Sequence, residues 1–345
     1  MHEIVDLRSD TVTRPTPEMR RAIAEAEVGD DVFDDDPTIH RLQAVAAAKM
    51  GKEAGLFVPS GTMSNAVAIK THTRPGDEIL LDTQAHSMIY EVGMPATIAN
   101  VLTRQFHCRH GVPDVDEVAS LMRTENLHAP GTALLVLENT HNRAGGAIIP
   151  LEVHQALWKL AQERGVRVHL DGARLFNAAV ATGIPASEYA ACADSVTFCL
   201  SKGLGCPVGS VLCGTQDFIA RARRVRKMLG GGMRQAGILA AAGLYALEHH
   251  IDRLAEDHRH ARRLAQGIAH APGITLDTVD VPTNMVYMTT QAPARAFADR
   301  LASEHKVLGI PTAANRIRLV THLDVDAEDI ERAIAAICDV GSRMA

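Results

Sequence analysis

Between residues 55 and 214 the chain alternates short apolar runs with amphipathic stretches. The runs at 55–58, 78–81, 133–137, 166–170, 195–200 and 209–212 predict strands. Helical spacing of apolar positions at 62–73, 114–122 and 151–163 predicts helices between several of them. Strands alternating with helices predict α/β units, a largely parallel sheet flanked by helices on both faces. Helical periodicity also begins near Pro17 and again near Thr38, with Pro37 as a boundary. After Gly214 the pattern becomes long helix at 216–228, 235–250 and 252–269, until Pro272-Gly273 breaks it. A smaller alternation follows: a strand at 284–288, a helix at 294–303, a strand at 316–320 and a closing helix from Ala327. The expected organisation is an extended N-terminal arm (1–15) outside the core, a large domain (16–250) and a smaller C-terminal α+β domain (251–345).

Composition narrows the class. With 345 residues, 46% hydrophobic and 22% charged, the chain buries a large core and favours two domains. Lys+Arg 35 against Asp+Glu 41 give a net charge of -6, which supplies no attraction to nucleic-acid phosphate or anionic membrane. A small anionic or zwitterionic ligand fits better. Aromatic residues are only 3% of the chain, too few for base-stacking platforms, so recognition is expected from charge and backbone. The N-terminus has no apolar signal region and no stretch reaches the ~20 apolar residues of a membrane span. Six cysteines without a Cys-x-x-Cys pair read as reduced thiols, so a cytoplasmic protein is expected.

In a parallel α/β sheet, ligands bind beyond the carboxyl ends of the strands. Three segments there carry chemistry. Ser60-Gly61-Thr62 opens a helix after one strand, and a glycine turn at a helix N-terminus is a phosphate seat, though alone it is equally an N-cap. Asp171 and Lys202 each follow a further strand, and the 31 residues separating them fit one crossover. A lysine to condense with a carbonyl, a carboxylate for a pyridine nitrogen and a phosphate cup are together what pyridoxal phosphate requires. A P-loop is excluded because no Gly-x-x-x-x-Gly-Lys-Ser/Thr occurs, and Gly230-Gly231-Gly232, which follows no strand and precedes Met233-Arg234, does not fit a dinucleotide-binding fingerprint. No metal is expected: His107, His110 and the cluster His249, His250, His258 and His260 lack partners at ligand spacing.

The motifs Asp6-Leu7-Arg8-Ser9-Asp10-Thr11-Val12-Thr13, Gly29-Asp30-Asp31-Val32, Ser60-Gly61-Thr62-Met63-Ser64-Asn65, Glu138-Asn139-Thr140-His141-Asn142, Asp171-Gly172-Ala173-Arg174, Leu200-Ser201-Lys202-Gly203-Leu204-Gly205 and Gly230-Gly231-Gly232-Met233-Arg234-Gln235 resemble those of low-specificity L-threonine aldolases, fold-type I pyridoxal-phosphate enzymes. The resemblance runs to Arg318-Leu319-Val320-Thr321-His322, nearly the whole chain. It implies that Lys202 binds the cofactor covalently, Asp171 contacts the pyridine nitrogen, Arg174 the phenolic oxygen, and Ser60, Gly61 and Thr62 the phosphate. It further implies that His86 stacks on the ring, that Ser9 and Arg318 bind the substrate carboxylate, and that His128 is a second active-site histidine. His86 and His128 are the candidates for the base that takes the β-hydroxyl proton. Lys227 and Arg234 correspond to basic groups near a site built at a dimer interface, with a homotetramer, a dimer of dimers, as the implied assembly. The implied activity is cleavage of L-threonine, L-allo-threonine and related β-hydroxy-α-amino acids to glycine and an aldehyde. The alternatives are a phenylserine-preferring aldolase, a β-eliminating lyase and a non-catalytic cofactor-binding module. Two departures bear on substrate preference: Phe33 where the family commonly has tyrosine, and Arg143 within 142–147, which adds a basic side chain beside the Glu138–Asn142 motif.

Overall fold

The computed structural model describes residues 3–278 and 280–345. Seven strands build the central sheet: β1 (Ala54–Val58), β2 (Glu78–Asp82), β3 (Leu102–Phe106), β4 (Thr132–Glu138), β5 (Arg167–Asp171), β6 (Ser195–Cys199) and β7 (Ser210–Gly214). Their order is β1-β7-β6-β5-β4-β2-β3. β7 runs antiparallel to both neighbours while the other pairings are parallel. Two antiparallel steps restore the direction of β1, so the carboxyl ends of six strands meet at one edge.

Both faces of this sheet are buried, and the two-residue period of a strand sorts its side chains between them. Phe57 packs with Ile39, Leu42 and Met50 on one side, whereas Leu56 and Val58 pack with Val67, Ala68 and Phe218 on the other. In β4, Leu135 and Leu137 join the first core, while Leu134 and Val136 join a third cluster with Ile79 and Leu81. The helix Pro37–Met50 shows why the covering elements start where they do. Asp36 accepts hydrogen bonds from the amides of Thr38 and Ile39, Pro37 occupies the first turn, and Gly51 ends the helix at a φ of 61°.

Beyond residue 250 the strands Ile274–Leu276, Met285–Thr290, Arg316–Val320 and Ile310–Ala313 form an antiparallel sheet in that order. The helices Leu254–Ile268, Ala294–His305 and Ala327–Met344 pack on it around a separate core. One expectation is corrected here. The N-terminal segment is not an arm outside the core: Val5 and Leu7 are buried in this second cluster, and Val5–Asp6 pairs in parallel with Val307–Leu308. Their alternation with Asp6 and Arg8 puts the apolar side chains inward and leaves the ion pair outside.

Candidate active site

The carboxyl edge of the sheet carries the site. After β1 the helix Gly61–His72 begins, with the Ser60 hydroxyl accepting from the Met63 amide at 3.1 Å. The first amides of a helix lack intrahelical acceptors and its dipole is positive there, so this end suits a phosphate. Gly61 is required by close approach: a Cβ there would lie 2.8 Å from Cys199 Sγ. β5 delivers the buried Asp171, and Ser201-Lys202 follow β6 by one residue after Leu200.

Asp171 is held from two directions. Its Oδ2 accepts from Asn65 Nδ2 at 2.8 Å and its Oδ1 from the Ala173 amide at 3.1 Å. Asn65 Nδ2 also donates to Glu91 Oε1 at 2.8 Å, and the same Glu91 oxygen lies 2.7 Å from His86 Nδ1. Burial works to lower the His86 pKa, but the Glu91 hydrogen bond and the charges of Asp171 and Glu91 outweigh it and hold the imidazole above its ordinary value. Burial, with Asp171 nearby, pushes the Glu91 carboxyl up. The His86 amide donates to Glu138 Oε2 at 2.6 Å, which fixes the start of its short helix.

Arg174 is buried and donates to both oxygens of Asp10, each at 2.6 Å. Burial opposes ionisation of Asp10, yet the guanidinium keeps its carboxyl well below the usual range. This pair binds the N-terminal segment to the large sheet. From the smaller sheet Arg318 reaches the same cleft, donating to Asn142 Oδ1 at 3.0 Å and to the Arg8 carbonyl at 3.2 Å.

Lys202, Asp171, His86, Arg174, Gly61 and Thr62 line one continuous depression with Ser9 and Arg318 at its outer part. Among the described residues, three buried polar atoms of its lining have no partner: Thr140 Oγ1, Glu91 Oε2 and Arg318 Nε. Unpaired buried polar groups are costly unless a ligand completes them. The donors, the lysine and the carboxylate fit pyridoxal phosphate.

Three expected residues do not come to this cleft within one chain. Lys227 and Arg234 are exposed, and Arg234 contacts Asp30 at 3.0 Å and covers the Phe33 ring at 5.8 Å. His128 sits on an exposed turn where its amide donates to Asn126 Oδ1 at 2.8 Å. Ser60 contributes as the helix cap. Asp10, Asn65, Glu91 and Glu138 also bond the residues of this cleft, beyond those the motifs single out. For Asp10, Asn65 and Glu138 the available signal is their place inside the motifs that begin at Asp6, Ser60 and Glu138, whereas Glu91 lies in none of them.

Residues 6–291 match the family model described as beta-eliminating lyase. The low-specificity L-threonine aldolase 1 of Arabidopsis thaliana is 44% identical over 333 residues, covering 94% of this chain and 93% of that protein. The low specificity L-threonine aldolase of Escherichia coli (strain K12) is 42% identical over 334 residues, covering 96% of this chain and 98% of that protein. The backbone matches a Leishmania major threonine aldolase with a TM-score of 0.83 at 18% identity, over 98% of this chain and 99% of that one. It matches an SPT solved with PLP at a TM-score of 0.77 and 17% identity, over 99% and 88% of the two chains. The architecture is that of the fold-type I pyridoxal-phosphate enzymes.

Proposed function

We propose, since the chain belongs to the beta-eliminating lyase family and within it to the low-specificity L-threonine aldolases, that it cleaves L-threonine and other L-β-hydroxy-α-amino acids to glycine and an aldehyde. The observation that carries this reading is the convergence of Lys202, Asp171, His86 and Arg318 on one cleft. Pyridoxal phosphate, when bound, supplies the electron sink for the pair released at Cα. Lys202 is the amine that would hold it, Asp171 the carboxylate for its ring nitrogen, Arg174 the donor for its phenolic oxygen, and the Ser60–Thr62 turn the seat for its phosphate.

Arg318 with Ser9 binds the substrate carboxylate, and this two-point grip orients the Cα–Cβ bond for cleavage. His86 takes the β-hydroxyl proton. Its Nδ1 is engaged by Glu91, which leaves Nε2 as the basic nitrogen of the neutral ring. The Asn65 link keeps Asp171 and Glu91 in register, so the group that orients the base and the group that tunes the cofactor share one side chain.

The assembly belongs to the same proposal. Lys227 and Val32 lie against Gly232, and Arg234 over the Phe33 ring, which is 76% exposed; a second copy would bury this surface and receive its charge. His128 acts only if another subunit presents it, which fits a dimer of dimers. Sedimentation of the loaded enzyme as a monomer would contradict this. The two separate cores support reading 16–250 and 251–345 as domains. No described helix is long and apolar enough to cross a membrane, and all six cysteines are unpaired, which supports a cytoplasmic site of action.

The test is glycine release from L-threonine by the cofactor-loaded enzyme, with Lys202→Ala alongside. The variant is expected to lose the visible absorption of a covalently held cofactor and at least about 10³-fold in kcat, ~4 kcal/mol in barrier. Full activity in Lys202→Ala would overturn the assignment.

A further inference from the structure

The outer part of the cleft is more cationic than an amino-acid carboxylate requires. Its lining includes Arg318, Lys202, Arg143 and Arg174, and no aspartate or glutamate belongs to it. Arg174 is neutralised by Asp10. Arg316 lies beneath the segment 142–147 and is neutralised by Asp277. Arg318 and Arg143 differ: among the described residues, the side-chain contacts of both are to neutral oxygens. Arg318 donates to an amide oxygen and a carbonyl. Arg143 donates to Gln84 Oε1 at 2.6 Å through Nε and to Tyr90 Oη at 2.7 Å through Nη1. Among the described residues its Nη2 has no hydrogen-bond partner.

The segment that carries Arg143 is held in place, and its side chain by Gln84 and Tyr90. His141 contacts Asp82 Oδ2 at 2.9 Å, and the Asn142 amide donates to Glu138 Oε1 at 2.8 Å. The Thr283 hydroxyl donates to the Gly146 carbonyl at 2.9 Å, and Arg316 donates to the Arg143 carbonyl at 3.1 Å. Tyr90, which receives the Arg143 hydrogen bond, stands with its ring centroid 5.3 Å from that of His86. Arg143 is therefore anchored on the His86 side of the cleft, where the reading above puts the β-carbon and its substituent. A fixed guanidinium with donors to spare and no carboxylate partner binds a carboxylate in preference to a neutral group.

Resting on the aldolase reading, we propose that Arg143 is a specificity residue for β-hydroxy-α-amino acids whose β-substituent ends in a carboxylate. Arg318 takes the α-carboxylate and Arg143 the distal one. With 3-hydroxyglutamate, the Cα–Cβ bond breaks, the β-hydroxyl gives up its proton as it becomes a carbonyl, and Cα takes up a proton. The products are glycine and 3-oxopropanoate, and nothing is oxidised or reduced.

The experiment compares kcat/KM of the cofactor-loaded enzyme for 3-hydroxyglutamate and its neutral isostere 3-hydroxyglutamine, with L-threonine as reference. The expected result is a preference for the acid of at least about tenfold, equivalent to ~1.4 kcal/mol. Arg143→Gln brings that ratio to about one, and Arg143→Lys restores part of it. Raising salt weakens the preference in the wild type and leaves the Arg143→Gln ratio flat. A wild-type ratio near one overturns the proposal. So does a ratio that persists in Arg143→Gln, because the residue then acts only as a clamp on Tyr90 and Gln84, and both substrates suffer alike. Absence of glycine from L-threonine itself would overturn the aldolase reading and this proposal with it, an outcome distinct from loss of selectivity alone.

Discussion

Glu91 uses one oxygen for two neighbours, His86 Nδ1 and Asn65 Nδ2, and among the described residues its second oxygen is without a partner. Its charge is one of the influences holding the His86 pKa above the ordinary value. A base with a raised pKa is charged, and so inactive, until the pH exceeds that value, so kcat/KM climbs with pH through it. Glu91→Gln keeps the shape and removes the charge. The imidazolium is then less favoured, and the acid limb of the profile moves to lower pH, with kcat down about tenfold from looser orientation. An acid limb that stays in place would show that Glu91 is structural only. Nothing in the order of residues signals this role. Glu91 meets Asn65 from 26 residues away, and Asn65 meets Asp171 from 106, so only the folded sheet edge brings them together. Lys202 and Asp171 were legible because each ends an apolar run that must be a strand. His128, Lys227 and Arg234 stay outside the cleft of their own chain, since sequence likeness carries a residue's role without its position relative to the cleft.

At the scale of elements, the apolar runs predicted six of the seven central strands within two residues at each end. β3 was missed because Leu102-Thr103-Arg104-Gln105-Phe106 is an edge strand with mostly half-exposed polar positions, and only one face of it needs apolar residues. The helices Leu175–Thr182 and Ala186–Ala191 were missed as well: the first is apolar on nearly every side, so it shows no 3.6-residue period. Strand β7 reverses direction directly after the Lys202 loop, and Gly209 makes that reversal. Its φ is 110°, and a Cβ would lie 2.5 Å from the Phe57 ring. Gly209→Ala therefore combines a strained backbone with overpacking and is expected to destabilise the fold by about 2–5 kcal/mol, read as a fall in the urea midpoint. The Lys202 loop is tethered to Gly209, whose carbonyl accepts from the Leu200 and Ser201 amides, so cofactor affinity falls in the same variant. Unchanged stability would contradict the packing argument.

For the whole molecule, the net charge of -6 describes the exterior rather than the cleft, where four cations line the outer part. Two sheets with separate cores close on that cleft. Lys202 and Asp171 come from the larger, Arg318 from the smaller, and the buried Asp10–Arg174 pair ties the N-terminal segment across the join. In the proposed reaction the substrate is held between them by its carboxylate, and that grip selects the bond at Cα that breaks. The family takes its description from β-elimination, in which Cβ–O breaks instead, so the bond that this geometry cleaves is the central claim. The direct measurement is the product balance from L-threonine with the loaded wild-type enzyme. Cleavage of Cα–Cβ gives glycine and acetaldehyde in equal amounts with no ammonia, and this is the predicted result; ammonia with 2-oxobutanoate, and no glycine, would contradict it.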